Sequence, residues 1–150
     1  MGFWTHEISI IKVLKTSVIY TVFAFVTHQI EAILTMKYYL MPEYFGVWSK
    51  LMTPSAGPPP MEFMITSLVF TFVTGVSITL IYYYLKDHLP ENKTKRIFYF
   101  ADLLIATSFV FSTLPMYLML NVPHALLLAW FISNFIIVTF ASWLMVKIIR

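Results

Sequence analysis

The chain has 150 residues, of which 59% are apolar and only 11% are charged, and its mean hydropathy is +0.79. Soluble domains carry about 25% charged residues, so this excess of apolar surface predicts lipid as the solvent. The absence of cysteine excludes disulfides, thiolate metal sites and cysteine nucleophiles. The net charge of +3 comes from basic residues at the ends of apolar segments. That pattern reflects membrane topology, so no nucleic-acid partner is expected.

Four apolar segments are each about as long as the 20 or so residues that a transmembrane helix needs. The predicted spans cover residues 16–36, 63–85, 97–120 and 123–146. We therefore predict an all-α fold, an integral membrane four-helix bundle, with residues 1–150 forming one domain in the lipid bilayer. Only Asn121-Val122-Pro123 separates the last two spans, which makes them antiparallel neighbours. Pro115 lacks an N–H donor and predicts a kink in the third span.

The longest connection, residues 37–60, has an unusual composition for a loop. Its first part is rich in Tyr, Phe, Trp, Leu and Met, and residues 55–60 end in three prolines that stiffen the return. Such a segment favours the headgroup layer over water. We predict a short interfacial helix between spans 1 and 2, with residues 43–52 ordered at the membrane surface.

The distribution of basic residues predicts the orientation. Four spans place both termini on one side of the membrane, and eight basic residues would share that side: Lys12, Lys15, Lys86, Lys93, Lys95, Arg96, Lys147 and Arg150. Lys37 and Lys50 would lie on the other side. The positive-inside rule then predicts a multi-pass protein of the cell membrane with both termini cytoplasmic.

The first span carries ionisable groups within apolar sequence, namely His28 and Glu31, with Gln29 between them. Six residues recur at alternating spacings of four and three and therefore share one helix stripe: Ser17, Thr21, Ala24, His28, Glu31 and Thr35. A carboxyl within a membrane costs about 2.5–3.5 kcal/mol on insertion scales, so Glu31 is expected to face protein or a wet cavity. His28 lies one turn away and is its predicted partner.

The candidates for binding a ligand or a proton are His28, Gln29, Glu31, Tyr117 and His124. Three interpretations of the His28 and Glu31 pair stay open. The two groups satisfy each other within the bundle, they couple to a proton, an ion or a cationic ligand, or His28 and His124 hold a metal or haem. The sequence shows no phosphate loop, nucleophile elbow or zinc-protease motif, and we expect no catalytic residue, metal or cofactor.

Asp102 and Asn134 form a predicted secondary polar site. Asp102 lies only about 8 Å into its span and Glu31 about 22 Å into the first, so these carboxyls are not expected to pair. Asp102 is expected to meet Lys12, Lys15 or a tyrosine hydroxyl near the headgroups. Asn134 is expected to form an interhelical hydrogen bond.

A stripe of small residues runs along the second span at i+4 spacing: Ser67, Thr71, Gly75 and Thr79. Small residues allow another helix to approach closely. The stripe therefore predicts packing within the bundle, against a second copy in a homo-oligomer, or against a membrane partner.

The run from Tyr44 to Met52 reads Tyr-Phe-Gly-Val-Trp-Ser-Lys-Leu-Met and follows the first span. It is similar to an F-G-x-x-W-x-K segment, with one residue fewer between Gly46 and Trp48. It resembles a family of small four-span prokaryotic membrane proteins of unknown function, and the resemblance implies the same order of elements but no activity. A glutamate in the first of four spans is also similar in chemistry to that of the small multidrug-resistance transporters, where it binds protons and cations. The long connection and the residues around Glu31 differ from that family.

Three functions remain open from the sequence. The leading hypothesis is a small transporter or ligand-binding membrane protein that uses the intramembrane His28 and Glu31. The alternative is a non-catalytic interaction or assembly subunit of a membrane complex. A membrane enzyme acting on a lipid is the third, and it depends only on the amphipathic connection near the headgroups.

Overall fold

The computed structural model describes residues 8–44, 47 and 60–149, and all regular secondary structure in them is helical. The elements are α1 (Ile10–Tyr39), a 3-10 turn (Pro42–Tyr44), α2 (Met61–Leu85), α3 (Lys93–Ser108), a π-helical turn (Phe109–Thr113), α4 (Leu114–Met119) and α5 (His124–Ile148). α3, the π-helical turn and α4 form one continuous span, Lys93–Met119.

Four helices in the described residues are long and apolar enough to cross a membrane, which confirms the predicted all-α fold of a multi-pass membrane protein. The helices occupy the same four stretches of sequence as the predicted spans, with bounds that differ by up to six residues. α1 begins at Ile10, whereas the predicted span begins at residue 16. The helix starts here because the Ser9 hydroxyl caps it, accepting a hydrogen bond from the Lys12 amide at 3.4 Å.

The helices pack in the order α2, α1, α5, α3, with α1 and α5 in the middle. Burial is concentrated where the described ends of the chain lie. We call this region the termini half (residues 10–24, 75–101 and 137–149) and the remainder the distal half (residues 25–44, 60–74 and 102–136). Most residues of the main buried cluster belong to the termini half, including Tyr82, Phe100, Met145 and Ile149.

Close contacts hold the termini half together. A Cβ atom added to Gly75 would lie 2.8 Å from Tyr20 Cδ1 and 3.1 Å from Ser17 Cα, so only glycine lets α2 approach α1 this closely. Phe23 and Phe140 stack with ring centroids 3.7 Å apart and join α1 to α5.

The small-residue stripe on α2 is therefore used within the chain at Gly75 and Thr79. Both residues are buried, and the Thr79 hydroxyl lies 3.3 Å from Met145 Sδ of α5. Ser67 and Thr71, in the distal half of the same helix, are not buried. A membrane partner or a second copy could therefore contact this stripe only at its distal residues, Ser67 and Thr71.

The distal half is open. No residue from 60 to 74 and none from 102 to 121 is buried, so α2 and the third span do not contribute to a core there. α1 and α5 remain in contact, and a small cluster of Val122, Leu126 and Leu127 packs against Tyr38 and Tyr39.

The third span changes its hydrogen-bonding pattern in a π-helical turn, Phe109–Thr113, that ends two residues before Pro115, where the sequence predicts a kink. The Leu114 amide donates to the Phe109 carbonyl five residues back, which is the hydrogen bond of a π turn. The proline ring itself has no N–H to donate to Phe111.

The predicted interfacial helix falls mostly outside the described residues. Of residues 43–52, the structure describes 43, 44 and 47, and Tyr44 and Val47 pack against the Val122 cluster. Of the run 44–52, which carries the family resemblance, the structure describes only residues 44 and 47. The interfacial helix and the family resemblance therefore stay predictions.

Candidate functional site

Glu31 is a buried carboxyl on α1, with 9% of its surface exposed. Its side chain meets Thr35 one turn later, whose Oγ1 lies 2.8 Å from Glu31 Oε1. The same Oγ1 lies 2.8 Å from the Glu31 carbonyl oxygen. Sequence reasoning placed Glu31 on a protein-facing stripe, and its burial agrees with that expectation.

A chain of polar contacts continues from Thr35 to the fourth span. The Tyr39 hydroxyl is a hydrogen-bonding partner of the Thr35 side chain, one turn earlier on the same helix. Trp130 of α5 donates its Nε1–H to the Tyr39 hydroxyl at 2.9 Å. Glu31, Thr35 and Tyr39 recur every four residues, so one face of α1 carries all three.

Neither Tyr39 nor Trp130 is among the five candidates that the sequence predicts for binding a ligand or a proton. The i, i+4, i+8 spacing from Glu31 points to Tyr39, although a tyrosine at a helix end also fits a membrane-interface anchor. Trp130 is 91 residues away from Tyr39, and no local pattern connects the two.

His28 and Gln29 are exposed, and neither forms a hydrogen bond or ion pair within the part of the chain that the structure describes. Thr35 is the hydrogen-bond partner of Glu31 there. His28 lies at the edge of the α1 stripe, at a level where α2 has no buried residue to cover it. Its predicted role as a ligand or proton site stays a prediction.

Tyr117 and His124 come together across the hairpin between α4 and α5. Their rings meet edge to face with centroids 5.4 Å apart, and both side chains are exposed. His28 and His124 are thus both on the surface, and no three His, Asp or Glu side chains converge on a metal position among the described residues.

The two secondary polar residues differ in their contacts. Asn134 Nδ2 donates to Ser108 Oγ at 2.9 Å, which is the interhelical hydrogen bond predicted for it and joins α5 to α3. Ser108 Oγ in turn donates to the Ile105 carbonyl at 3.1 Å. Asp102 is exposed and forms no hydrogen bond or ion pair with any described residue. The contact expected with Lys12, Lys15 or a tyrosine hydroxyl is therefore wrong, because the side chain faces outward from the bundle.

No protein-family model, no curated protein and no solved structure matches the chain. The chemistry of the site therefore has to be inferred from its own residues and their geometry.

Proposed function

We propose that this multi-pass membrane protein binds a lipophilic organic cation at Glu31 in exchange for a proton. The supporting observation is a buried carboxyl at membrane depth whose described partner is a hydroxyl. No described Lys, Arg or His forms an ion pair with it. An intramembrane ionisable group without a compensating charge is a functional site by default, because its ionised form is costly unless a cation arrives.

Thr35 suits both protonation states of Glu31. An ionised carboxylate accepts the Thr35 hydrogen at Oε1. A protonated carboxyl donates to Thr35 Oγ1 instead, while the Thr35 hydrogen turns to the Glu31 carbonyl oxygen at the same 2.8 Å distance. A hydroxyl has one hydrogen and two acceptor lone pairs, so rotating that hydrogen accommodates either state.

The surroundings of Glu31 favour an organic cation over a small hydrated ion. The aromatic rings of Tyr39 and Trp130 adjoin the polar chain, and aromatic faces attract cations whose hydration is weak. The open distal half offers a path from the bilayer. Exchange of a proton for a cation keeps the buried site neutral, which avoids an uncompensated charge.

Glu31→Gln, compared with Asp102→Asn, tests the proposal. Both changes remove one carboxyl from a span, but Asp102 is exposed and makes no described contact. Tetraphenylphosphonium serves as the probe cation, added to weakly buffered, detergent-solubilised protein while a pH indicator records proton release. Wild type and Asp102→Asn should each release up to about one proton per bound cation. Glu31→Gln should release none and unfold at the same temperature or higher, since the amide keeps the shape and removes the charge.

Two outcomes would overturn the proposal. Equal proton release from all three proteins would remove Glu31 from the exchange. Failure of wild type to bind the probe at any pH from about 5 to 9, with Glu31→Gln more stable, would leave Glu31 a structural residue, as in an assembly subunit.

A further inference from the structure

A basic depression lies at the end of the termini half, where the start of α3 meets the end of α5. Its volume is about 170 Å³, and it is lined by Lys93, Ile97, Trp143, Val146 and Lys147. The two helices are direct neighbours in the bundle. The depression is separate from the Glu31 site, which lies in the distal half on α1.

The polar part of the depression is positively charged. Lys93 and Lys147 are exposed, and within the described residues neither forms an ion pair. No acidic side chain is among those that line it. Lys93 is the first residue of α3, so the positive end of the helix dipole lies beside it.

Lys147 is held in place by an aromatic ring. Its Nζ lies 4.6 Å from the centroid of the Trp143 ring, one turn earlier on α5, in a cation–π contact. Trp143 is 41% exposed, which places an indole at the end of a span, where indoles favour the headgroup layer. This contact holds the ammonium group close to the end of α5, which finishes at Ile148.

The remaining lining is apolar. Ile97 lies one turn into α3, and Val146 is buried between the two helices. Together with the Trp143 ring, they give the depression an apolar wall next to its two cations. An inorganic anion would contact the two lysines only, whereas a phospholipid would contact the lysines with its phosphate and the apolar wall with its acyl chains.

From this geometry we infer that the depression binds the headgroup phosphate of an anionic phospholipid. The inference is independent of the function proposed for Glu31. A zwitterionic headgroup brings a quaternary ammonium close to two lysines, so it should bind more weakly than a headgroup with a net negative charge.

The test uses the full chain in detergent, with native mass spectrometry counting bound lipid at increasing concentrations of phosphatidylglycerol or phosphatidylcholine with the same acyl chains. The variant is K93Q/K147Q, and the matched control is K15Q/K95Q. The control removes the same charge from exposed lysines near the same end of the bundle but outside the depression. A third series replaces the lipid with glycerol 3-phosphate.

Wild type and K15Q/K95Q should bind one phosphatidylglycerol with similar affinity and prefer it to phosphatidylcholine. Each lysine near an anionic headgroup contributes about a fivefold change in binding, so K93Q/K147Q should bind about 25-fold more weakly. Glycerol 3-phosphate should bind far more weakly than the lipid. An equal loss of phosphatidylglycerol affinity in both double variants would mean that only the net charge of the protein matters, and it would contradict a site in the depression. Equal binding of the two lipids would do so as well, and glycerol 3-phosphate binding as tightly as the lipid would assign the depression to a free phosphate ester.

Discussion

The two halves of the bundle are built from the same four apolar spans but pack very differently. Phe100, in the termini half, is completely buried, whereas Phe111, about three turns later in the same span, is 78% exposed. The residues buried in the termini half include many small ones: Thr16, Ser17, Ala24, Gly75, Thr79, Ala101, Ala141 and Ser142. Lipid tails are as apolar as leucine, so hydrophobicity alone does not bring helices together. Close approach does, and on α2 it occurs at Gly75, whereas Ser67 and Thr71 continue the same stripe into the distal half without being buried.

The halves also differ in the hydrogen bonds that their polar side chains form. Buried hydroxyls in the termini half donate to carbonyls of their own helix, as Ser17 does to Val13 at 2.8 Å and Ser142 to Val138 at 3.0 Å. In the distal half, polar side chains bridge different helices through Trp130 and Tyr39, and through Asn134 and Ser108. In the open half, the contact between Trp130 and Tyr39 lies next to Glu31, the carboxyl proposed above to bind a cation.

The largest expected effect is the labelling of single cysteines from one side of the membrane only, which shows the side on which each half lies. Because the chain has no cysteine, single cysteines at Asn92 and Arg150 can be compared with one at Ser55. The eight-to-two bias of basic residues predicts that the first two label only from the cytoplasm and the third only from outside. Intact cells and inverted vesicles treated with an impermeant maleimide provide the measurement. External labelling at Asn92 would reverse the assignment of the halves.

Phe100→Ala and Phe111→Ala test the difference in packing directly, because they make the same change in the closed half and in the open half of one span. Removing a fully buried phenylalanine leaves a cavity and should lower the free energy of unfolding by about 3 kcal/mol. Phe111→Ala should change the free energy of unfolding by less than about 0.5 kcal/mol, because the ring already faces out. Unfolding in mixed micelles of increasing SDS content, followed by circular dichroism, measures both. Similar losses in the two variants would mean that the distal half is closed in solution.

The smallest expected effect concerns the Asn134–Ser108 hydrogen bond, a polar contact that holds the third span to α5 in the distal half. Interhelical hydrogen bonds in membranes contribute about 0.6 kcal/mol on average, so Asn134→Ala should destabilise the chain by about that amount. A double-mutant cycle with Ser108→Ala should then show coupling of similar size. Ser112→Ala, one turn further along, is exposed and serves as the control. Coupling of Asn134 to Ser112 equal to that with Ser108 would contradict the contact.

Much of the fold follows from local sequence. The length and composition of the apolar runs predict four spans, because a bilayer sets the length of a helix that crosses it. Pro115 predicts a break in regular hydrogen bonding, since its ring removes a donor. Burial of Glu31 and the hydrogen bond of Asn134 follow from the cost of leaving either group in lipid.

The tertiary structure alone decided which polar groups meet. The helical period places His28 and Thr35 on nearly the same stripe, yet His28 is exposed and Thr35 is buried. Thr35 lies one turn from Tyr39, whose hydroxyl accepts a hydrogen bond from Trp130 of α5, whereas His28 forms no hydrogen bond with a described residue. Periodicity determines which face of a helix a residue occupies. Which helix lies opposite that face at a given depth depends on interhelical contacts far apart in sequence, such as that between Tyr39 and Trp130.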